Sequence, residues 1–447
     1  MKLRKTLIRI GVVLLILLAA ILLIRAVFSY AEGRKLARTF AELKKQGVPI
    51  TAADLAAPCP DEDNAARLWK VAENLLTTGG KQDKELFSRA WMDFSAGKPV
   101  SPADKVALKD LIVRNEKAFE FLTAMGDKPC FLYRDPNSSL LEERFSPLAL
   151  KWIHAAKLLI LAAALSAEEG DVQIAVDRIR SGLRFAPLVA QEGSLIANLI
   201  AVADTRMLAL YLGDILRGRK VGDDALLQLM GELDPGPWPG RLAGAIRGER
   251  TAFIEAGGYA LRGGFKDIER FLGEPSIFRT VGAWLLRPVL KMDVRKALPI
   301  YQELETQARL PYYESRSFLR SRGQEIMKRP WYAFLSKALI ANFGAAFMKQ
   351  ALLEATIVAS RTGLACRLYK SRTGQYPESL EALVPEILKE VPIDPFTGKP
   401  FVYRREGEGF IVYSLGSNEK DDGGRSTYMI TQMVMEKDDD CTWREDR

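Results

Sequence analysis

A short acidic loop near the C-terminus carries the residues best suited to bind a ligand. It runs from Ser417 to Gly424 (SNEKDDGG) and brings Asn418, Asp421 and Asp422 close together in sequence. Closely spaced carboxylate and amide oxygens on a glycine-containing loop suit the hard cation Ca²⁺. The sequence therefore predicts these three side chains as metal ligands. The alternative is a solvated loop whose aspartates cap turns.

The rest of the chain offers few residues for catalysis. Its one histidine, His154, lies in an apolar helical pattern that is typical of a packed core residue. Motifs for a serine nucleophile elbow, a zinc protease, a Walker A loop or a dinucleotide-binding loop do not occur. We therefore predict no catalytic residues and no enzyme. A hydrolase that uses carboxylates stays open as an alternative, because a carboxylate pair needs no local motif.

Two strands and a long helix are predicted to hold the acidic loop. Apolar and aromatic residues alternate on both sides of Glu406-Gly407-Glu408-Gly409, which indicates an antiparallel hairpin. Because an isolated hairpin is only marginally stable, it needs the helix predicted over residues 345–371 as its floor. Between them, Asp394-Pro395 and Thr397-Gly398 predict tight turns.

The order of these motifs resembles the head of the major, G-type pseudopilins of type II secretion. The shared motifs are Gly374-Gln375-Tyr376-Pro377, the pair Leu380 and Leu383, Pro392 to Pro400 (PIDPFTGKP), Tyr413-Ser414-Leu415-Gly416 and Gly423-Gly424. The resemblance covers about residues 345–425. It implies a small α+β head, calcium in the acidic loop and a place in a secretion apparatus. The chain has no prepilin-peptidase motif and its long helix is not N-terminal. We therefore do not extend the resemblance to filament assembly.

The N-terminus predicts a single membrane-spanning helix. Ile10 to Ile24 is free of charge, and Thr6 to Phe28 gives 23 residues, enough to cross a hydrocarbon core of about 30 Å. We predict an uncleaved signal anchor, with a signal peptide cleaved after Ala31 as the alternative. Basic residues flank both ends, but a short charged N-terminus is hard to translocate. We therefore expect residues 30–447 outside the cytoplasm, in the periplasm of a bacterial inner-membrane protein.

Charge and cysteines add two further constraints. The net charge is +8, but five basic residues lie beside the apolar run (Lys2, Arg4, Lys5, Arg9 and Arg25). The small remaining excess does not indicate a nucleic-acid partner. Cys59 and Cys130 lie in comparable proline-flanked loops. The sequence does not decide between a disulfide, which would form in an oxidising compartment, and two free, half-buried thiols.

The chain as a whole predicts a mainly α fold. We divide it into an anchor (1–30), a helical domain (31–234), a second helical region (241–344), the head (345–425) and a frayed acidic tail (426–447). A proline-rich segment, 234–240, links the two helical parts. Residues 148–216 resemble a tetratricopeptide-like hairpin, and an ordinary helical bundle is the alternative.

These features predict a membrane-anchored extracytoplasmic scaffold that binds a protein partner. The sequence does not identify that partner. The first alternative is a component of a type II secretion-like apparatus, and the second is the carboxylate-dependent hydrolase.

Overall fold

The computed structural model describes residues 2–76, 80–140, 146–262, 277–330, 333, 336–337, 340, 343–425 and 441–445. The fold is mainly helical, with a long N-terminal apolar helix and a small antiparallel sheet of three strands. This agrees with the predicted fold class at that level.

The helices follow one another with short connections. The first are α1 (Lys2–Lys45), α2 (Ala52–Leu55), α3 (Ala65–Leu75), α4 (Lys81–Ser95), α5 (Pro102–Met125), α6 (Ser146–Glu168) and α7 (Val172–Phe185). A 3₁₀ helix, Ala186–Glu192, leads to α8 (Leu195–Leu216), α9 (Asp223–Glu232), α10 (Trp238–Arg262), α11 (Ile277–Gln307), α12 (Tyr312–Lys328) and α13 (Phe343–Thr373). A second 3₁₀ helix, Leu380–Leu383, precedes the strands β1 (Val402–Glu406), β2 (Gly409–Ser414) and β3 (Cys441–Glu445).

Helix α1 is continuous from the predicted span into the folded body. Its apolar window has a mean hydropathy of 3.0 and none of it is buried, so α1 is long and apolar enough to cross a membrane, which supports anchoring. Among the described residues, α6 and α8 also have the length and composition of spans, but 56% and 67% of their windows are buried. The contrast is explained by packing, because α6 and α8 form the centre of the body.

Two hydrophobic cores share helix α13. The larger is built mainly from α3 to α9 and includes Trp69, Trp152 and Trp238. The smaller joins the C-terminal part of α1 to α10, α11 and the start of α13. Phe343 and Phe347 of α13 lie in the smaller core, and later residues of the helix lie in the larger one. The cores therefore cross the boundaries predicted between the helical regions and the head.

The sheet has one more strand than predicted. The hairpin of β1 and β2 is confirmed, with Val402 opposite Tyr413. Strand β3 pairs antiparallel with β2, placing Cys441 opposite Ser414. The prediction of a frayed tail over residues 426–447 is therefore wrong for residues 441–445. Residues 426–440 lie outside the described part. Every residue of β2 is buried, because β2 is the central strand.

Trp443 on β3 fixes the sheet to the helical body. Its ring packs against the Cα of Gly363 on α13 and of Gly213 on α8, so closely that a Cβ at Gly363 would overlap it. Glycine on both helices therefore gives the large indole its place, and the side chain is only 3% exposed. The head is thus packed onto the body rather than linked flexibly to it.

Of the two alternatives that the sequence leaves open for Cys59 and Cys130, the structure has the disulfide, with Cα atoms 5.9 Å apart. Asn64 reinforces the same junction. Its side chain caps α3 through the Ala66 amide at 2.9 Å and exchanges two hydrogen bonds with the backbone of Leu132. In addition, the Cys130 carbonyl accepts a hydrogen bond from the Ala65 amide. The disulfide and these bonds hold the loop after α5 against the start of α3.

Glu354 on α13 predicts a pH dependence of stability. Burial raises the pKa of Glu354 from 4.5 to about 7, although a hydrogen bond from Gln350 opposes this. Between these values the folded state binds more protons than the unfolded state, so stability falls as the pH rises through that window. We expect Glu354→Gln to increase the free energy of unfolding by about 3 kcal/mol at about pH 8, and to leave it unchanged at about pH 4. Urea unfolding at both pH values checks this, and an equal effect at both would contradict it.

Candidate functional site

The acidic loop is held by contacts with the sheet and within itself. Asp421 Oδ1 accepts hydrogen bonds from the Tyr413 hydroxyl at 2.8 Å and the Gly423 amide at 2.9 Å. Both hydrogen bonds lower the pKa of Asp421 below its usual value, and the one from Tyr413 has the larger effect. Asn418 Nδ2 donates instead to Asp422 Oδ2 at 2.8 Å. The three predicted ligands are therefore divided, because Asp421 faces the sheet and the other two bond to each other.

This arrangement fits calcium poorly. Asn418 directs its amide nitrogen to Asp422, while its oxygen accepts from the Lys420 amide at 2.9 Å. Within the part of the chain that the structure describes, no group of three acidic, histidine or cysteine side chains could hold a metal ion. Calcium binding stays a prediction. Calorimetric titration of the full chain, beside Asp421→Ala and Asp422→Ala, tests it, and identical flat traces would dismiss it.

The turn from Pro392 to Pro400 is organised by one buried carboxylate. Asp394 is 1% exposed. Its Oδ1 accepts from the Phe396 amide and the Ser414 hydroxyl, both at 2.9 Å, and its Oδ2 accepts from the Leu415 amide at 3.0 Å. Asp394 thus ties the turn to the end of β2, just before the acidic loop. A carboxylate suits this position because both of its oxygens accept hydrogen bonds.

Replacing Asp394 with asparagine should destabilise the head. The amide can accept on only one atom and directs an NH₂ at a donor, so at least one buried partner loses its hydrogen bond. We expect a loss of about 2 kcal/mol in the free energy of unfolding. Chemical denaturation measures it, with Glu408→Gln in the exposed hairpin turn as the charge-matched control. If both variants lost the same amount, Asp394 would not have this role.

An arginine-lined cleft lies beside the smaller core. It has a volume of about 470 Å³ and lies between the turn after α1 and the helices α10 and α11. Because α10 and α11 run antiparallel, residues distant in sequence face each other across it. The lining residues are Gly47, Val48, Pro49, Arg247, Arg250, Gln302, Glu305, Thr306 and Arg309.

The cleft contains more positive than negative charge. Glu305 is its one carboxylate, and both of its oxygens are engaged: Oε1 with Arg247 at 2.7 Å and Oε2 with Arg250 at 2.8 Å. Arg250 is 4% exposed and its Nε has no hydrogen-bond partner. Burial lowers the pKa of Arg250 below its usual value, although Glu305 opposes the shift. Arg309 is exposed at the rim and forms no ion pair with any described residue.

This charge distribution suits binding of an anionic group. Glu305 neutralises only part of the charge of Arg247, Arg250 and Arg309, and an incoming carboxylate could be bound by guanidinium groups in bidentate geometry. The single acid, held by two arginines, is poorly placed to act as a general base. The geometry therefore favours recognition over acid–base chemistry.

Sequence reasoning missed this cleft. In the sequence, Arg247 and Arg250 are spaced as on one helical turn, and so are Glu305 and Arg309, although α11 ends at Gln307. Each pair is therefore visible as a polar stripe. Such stripes are usually solvated helix faces. Only the antiparallel packing of α10 on α11 turns the two stripes towards one another.

Titratable groups also lie in and beside the larger core. His154 packs against Phe87, with ring centroids 4.2 Å apart, and burial lowers the pKa of His154 to about 4. Burial also raises the pKa of Asp204 well above its usual value, with Lys157 opposing the shift. His154 is thus half-buried against the larger core, in agreement with the packing role that its helical pattern predicts.

Comparison with protein-family models, with curated proteins and with solved structures gives no match to this chain.

Proposed function

We propose that the chain is a membrane-anchored extracytoplasmic scaffold that binds an acidic segment of a protein partner in the arginine-lined cleft. The proposal rests on a continuous structural connection between the predicted membrane span and the cleft. One helix, α1, contains the predicted span, packs in the smaller core and ends at the turn that lines the cleft. The cleft is thereby held at a fixed height above the bilayer.

Ion pairs support this rigid connection. Glu32 on α1 is 3% exposed and bonds Arg295 on α11 at 3.0 Å and Lys35 at 2.8 Å. Such a buried, hydrogen-bonded acid is costly to separate from its partners. Because α11 also supplies Gln302, Glu305 and Thr306, the anchor and the cleft share a helix. By helical rise, Glu305 lies ~30 Å along α11 from Trp284, which contacts α1 near the end of its apolar run.

The disulfide supports the side of the membrane proposed for the body. Disulfides persist in oxidising compartments such as the periplasm and are rare in the cytosol. A bridge between Cys59 and Cys130 therefore favours an extracytoplasmic body with the N-terminus in the cytoplasm.

Site-specific photocrosslinking tests the partner site. A photoreactive amino acid replaces Thr306 in the cleft of the full chain, in native membranes, and Val106, which is 74% exposed on α5, serves as the matched control position. We expect an adduct of defined mass from position 306 only, and its loss when Arg309→Glu and Arg247→Glu reverse the charge. An adduct that persisted after charge reversal, or equal labelling from position 106, would refute the proposed site.

A secretion-apparatus component is the second candidate. The helix, turn and hairpin of the pseudopilin-like head favour it. Against a role in a polymer, α13 is covered by the sheet on one side and by α8 and α9 on the other. The same crosslinking experiment discriminates, because this candidate predicts adducts from the head, for example at Ile393, which is 45% exposed.

A further inference from the structure

Helices α1 and α11 run parallel, in a register set by three contacts. Arg25 meets Trp284, Ser29 meets Lys291, and Glu32 meets Arg295. The numbers increase together along both helices. The N-terminal end of α11 therefore points in the same direction as the N-terminal end of α1, which is towards the membrane.

A proline in α11 explains the first of these contacts. Pro288 has no amide hydrogen, so the carbonyl of Trp284, four residues earlier, lacks its helical hydrogen bond. Arg25 Nη2 donates to that carbonyl at 2.5 Å. The guanidinium also lies over the Trp284 ring, 3.4 Å from its centroid. The anchor thus satisfies a backbone group that α11 cannot satisfy itself.

The register places the start of α11 at the level of the bilayer. Arg25 follows the uncharged run Ile10 to Ile24 directly, so it marks the edge of the hydrocarbon core. Trp284 lies at this same level. Helix α11 begins at Ile277, and at 1.5 Å per residue its first two turns extend ~10 Å further in the membrane direction.

The exposed side chains at this level suit a lipid environment. Trp284 is 41% exposed and Leu285 is 48% exposed, whereas Leu290 and Val294, further from the membrane, are buried. Tryptophan is enriched where a protein crosses the membrane–water boundary. Arg25, Arg287 and Lys291 lie close enough to repel one another. Such a cluster of cations favours anionic headgroups nearby.

We propose that the N-terminal end of α11, with Trp284 and Leu285, inserts into the headgroup and upper acyl region of the bilayer as a second membrane contact beside α1. This inference rests on the proposed membrane anchoring by α1. The lipid bilayer is the partner of this surface, because Trp284 and Leu285 lie beside the predicted span at the level of its end. A second contact would fix the tilt of the body, which a single helix cannot do.

Fluorescence quenching tests the insertion in the full chain reconstituted in lipid nanodiscs. Leu285→Cys is labelled with an environment-sensitive dye, with Leu17→Cys in the span and Val106→Cys on α5 as controls. Labelling is selective, since Cys366 and Cys441 are buried and Cys59 is bridged to Cys130. We expect lipids that carry a nitroxide to reduce the dye emission from positions 285 and 17. A nitroxide near the headgroup should quench position 285 more strongly than position 17. Aqueous iodide should reduce emission only from position 106.

The outcomes separate this inference from the proposed function. Quenching of position 285 by iodide, as at position 106, with position 17 still quenched by lipid, would overturn the second contact and leave the anchor intact. Loss of lipid quenching at position 17 would overturn both. Replacing anionic lipid by zwitterionic lipid should weaken the lipid quenching at position 285, and an Arg287→Gln variant should weaken it in anionic lipid.

Discussion

Replacing Gly248 with alanine is expected to destabilise the fold by about 3 kcal/mol. Gly248 on α10 lies directly on the carbonyl of Gly193, and a Cβ there would overlap that backbone oxygen. Backbone cannot move aside as a flexible side chain can. The next residue, Glu249, accepts a hydrogen bond from the Leu195 amide at 2.9 Å, so moving α10 would also leave one amide at the start of α8 without its acceptor.

Gly244 provides a matched control on the same helix. It lies one turn before Gly248, and nothing is within 4 Å of the position of its Cβ. Gly244→Ala should therefore stabilise α10 by up to about 1 kcal/mol through helix propensity. Chemical denaturation of both variants in the same detergent or nanodisc gives the comparison. Similar stabilities for the two variants would show that α10 is not held against Gly193.

Removing the disulfide is expected to cost about 4 kcal/mol, since the bridge closes a long loop in the unfolded chain. Cys59 and Cys130 are 71 residues apart. Cys59→Ser with Cys130→Ser should lower the denaturation midpoint, and reducing the wild-type protein should give the same shift. The Asn64 contacts remain in both cases, so we expect the fold to be retained.

The double variant also provides the control for reduction. Because its remaining cysteines, Cys366 and Cys441, are buried and unbridged, a reducing agent should not change its midpoint. If reduction left the wild-type midpoint unchanged, the bridge would not contribute to stability as expected.

Elements with strong local signals could be predicted from the sequence. The uncharged run fixed the position of α1, and the alternation around Gly407 gave the hairpin of β1 and β2. The long helix was expected over residues 345–371 and spans Phe343–Thr373. In each case the signal lies in neighbouring residues, either as the length of an apolar run or as the periodic spacing of apolar side chains.

Elements that depend on distant partners could not be predicted. Strand β3 has only five residues and follows an acidic segment that suggests a tail. Cys441, Trp443 and Glu445 are the buried residues of this strand, and they are buried only because β3 packs against β2 and α13. The cleft likewise needs the packing of α10 on α11, which no local pattern encodes.

Because α13 belongs to both cores, we expect the smaller core and the sheet to unfold together rather than as separate units. Phe343 and Phe347 close one core, while Leu364 and Leu368 close the other under the sheet. Unfolding of α13 would expose both the smaller core and the helix face that the sheet covers. We therefore expect the soluble body to unfold in one cooperative transition.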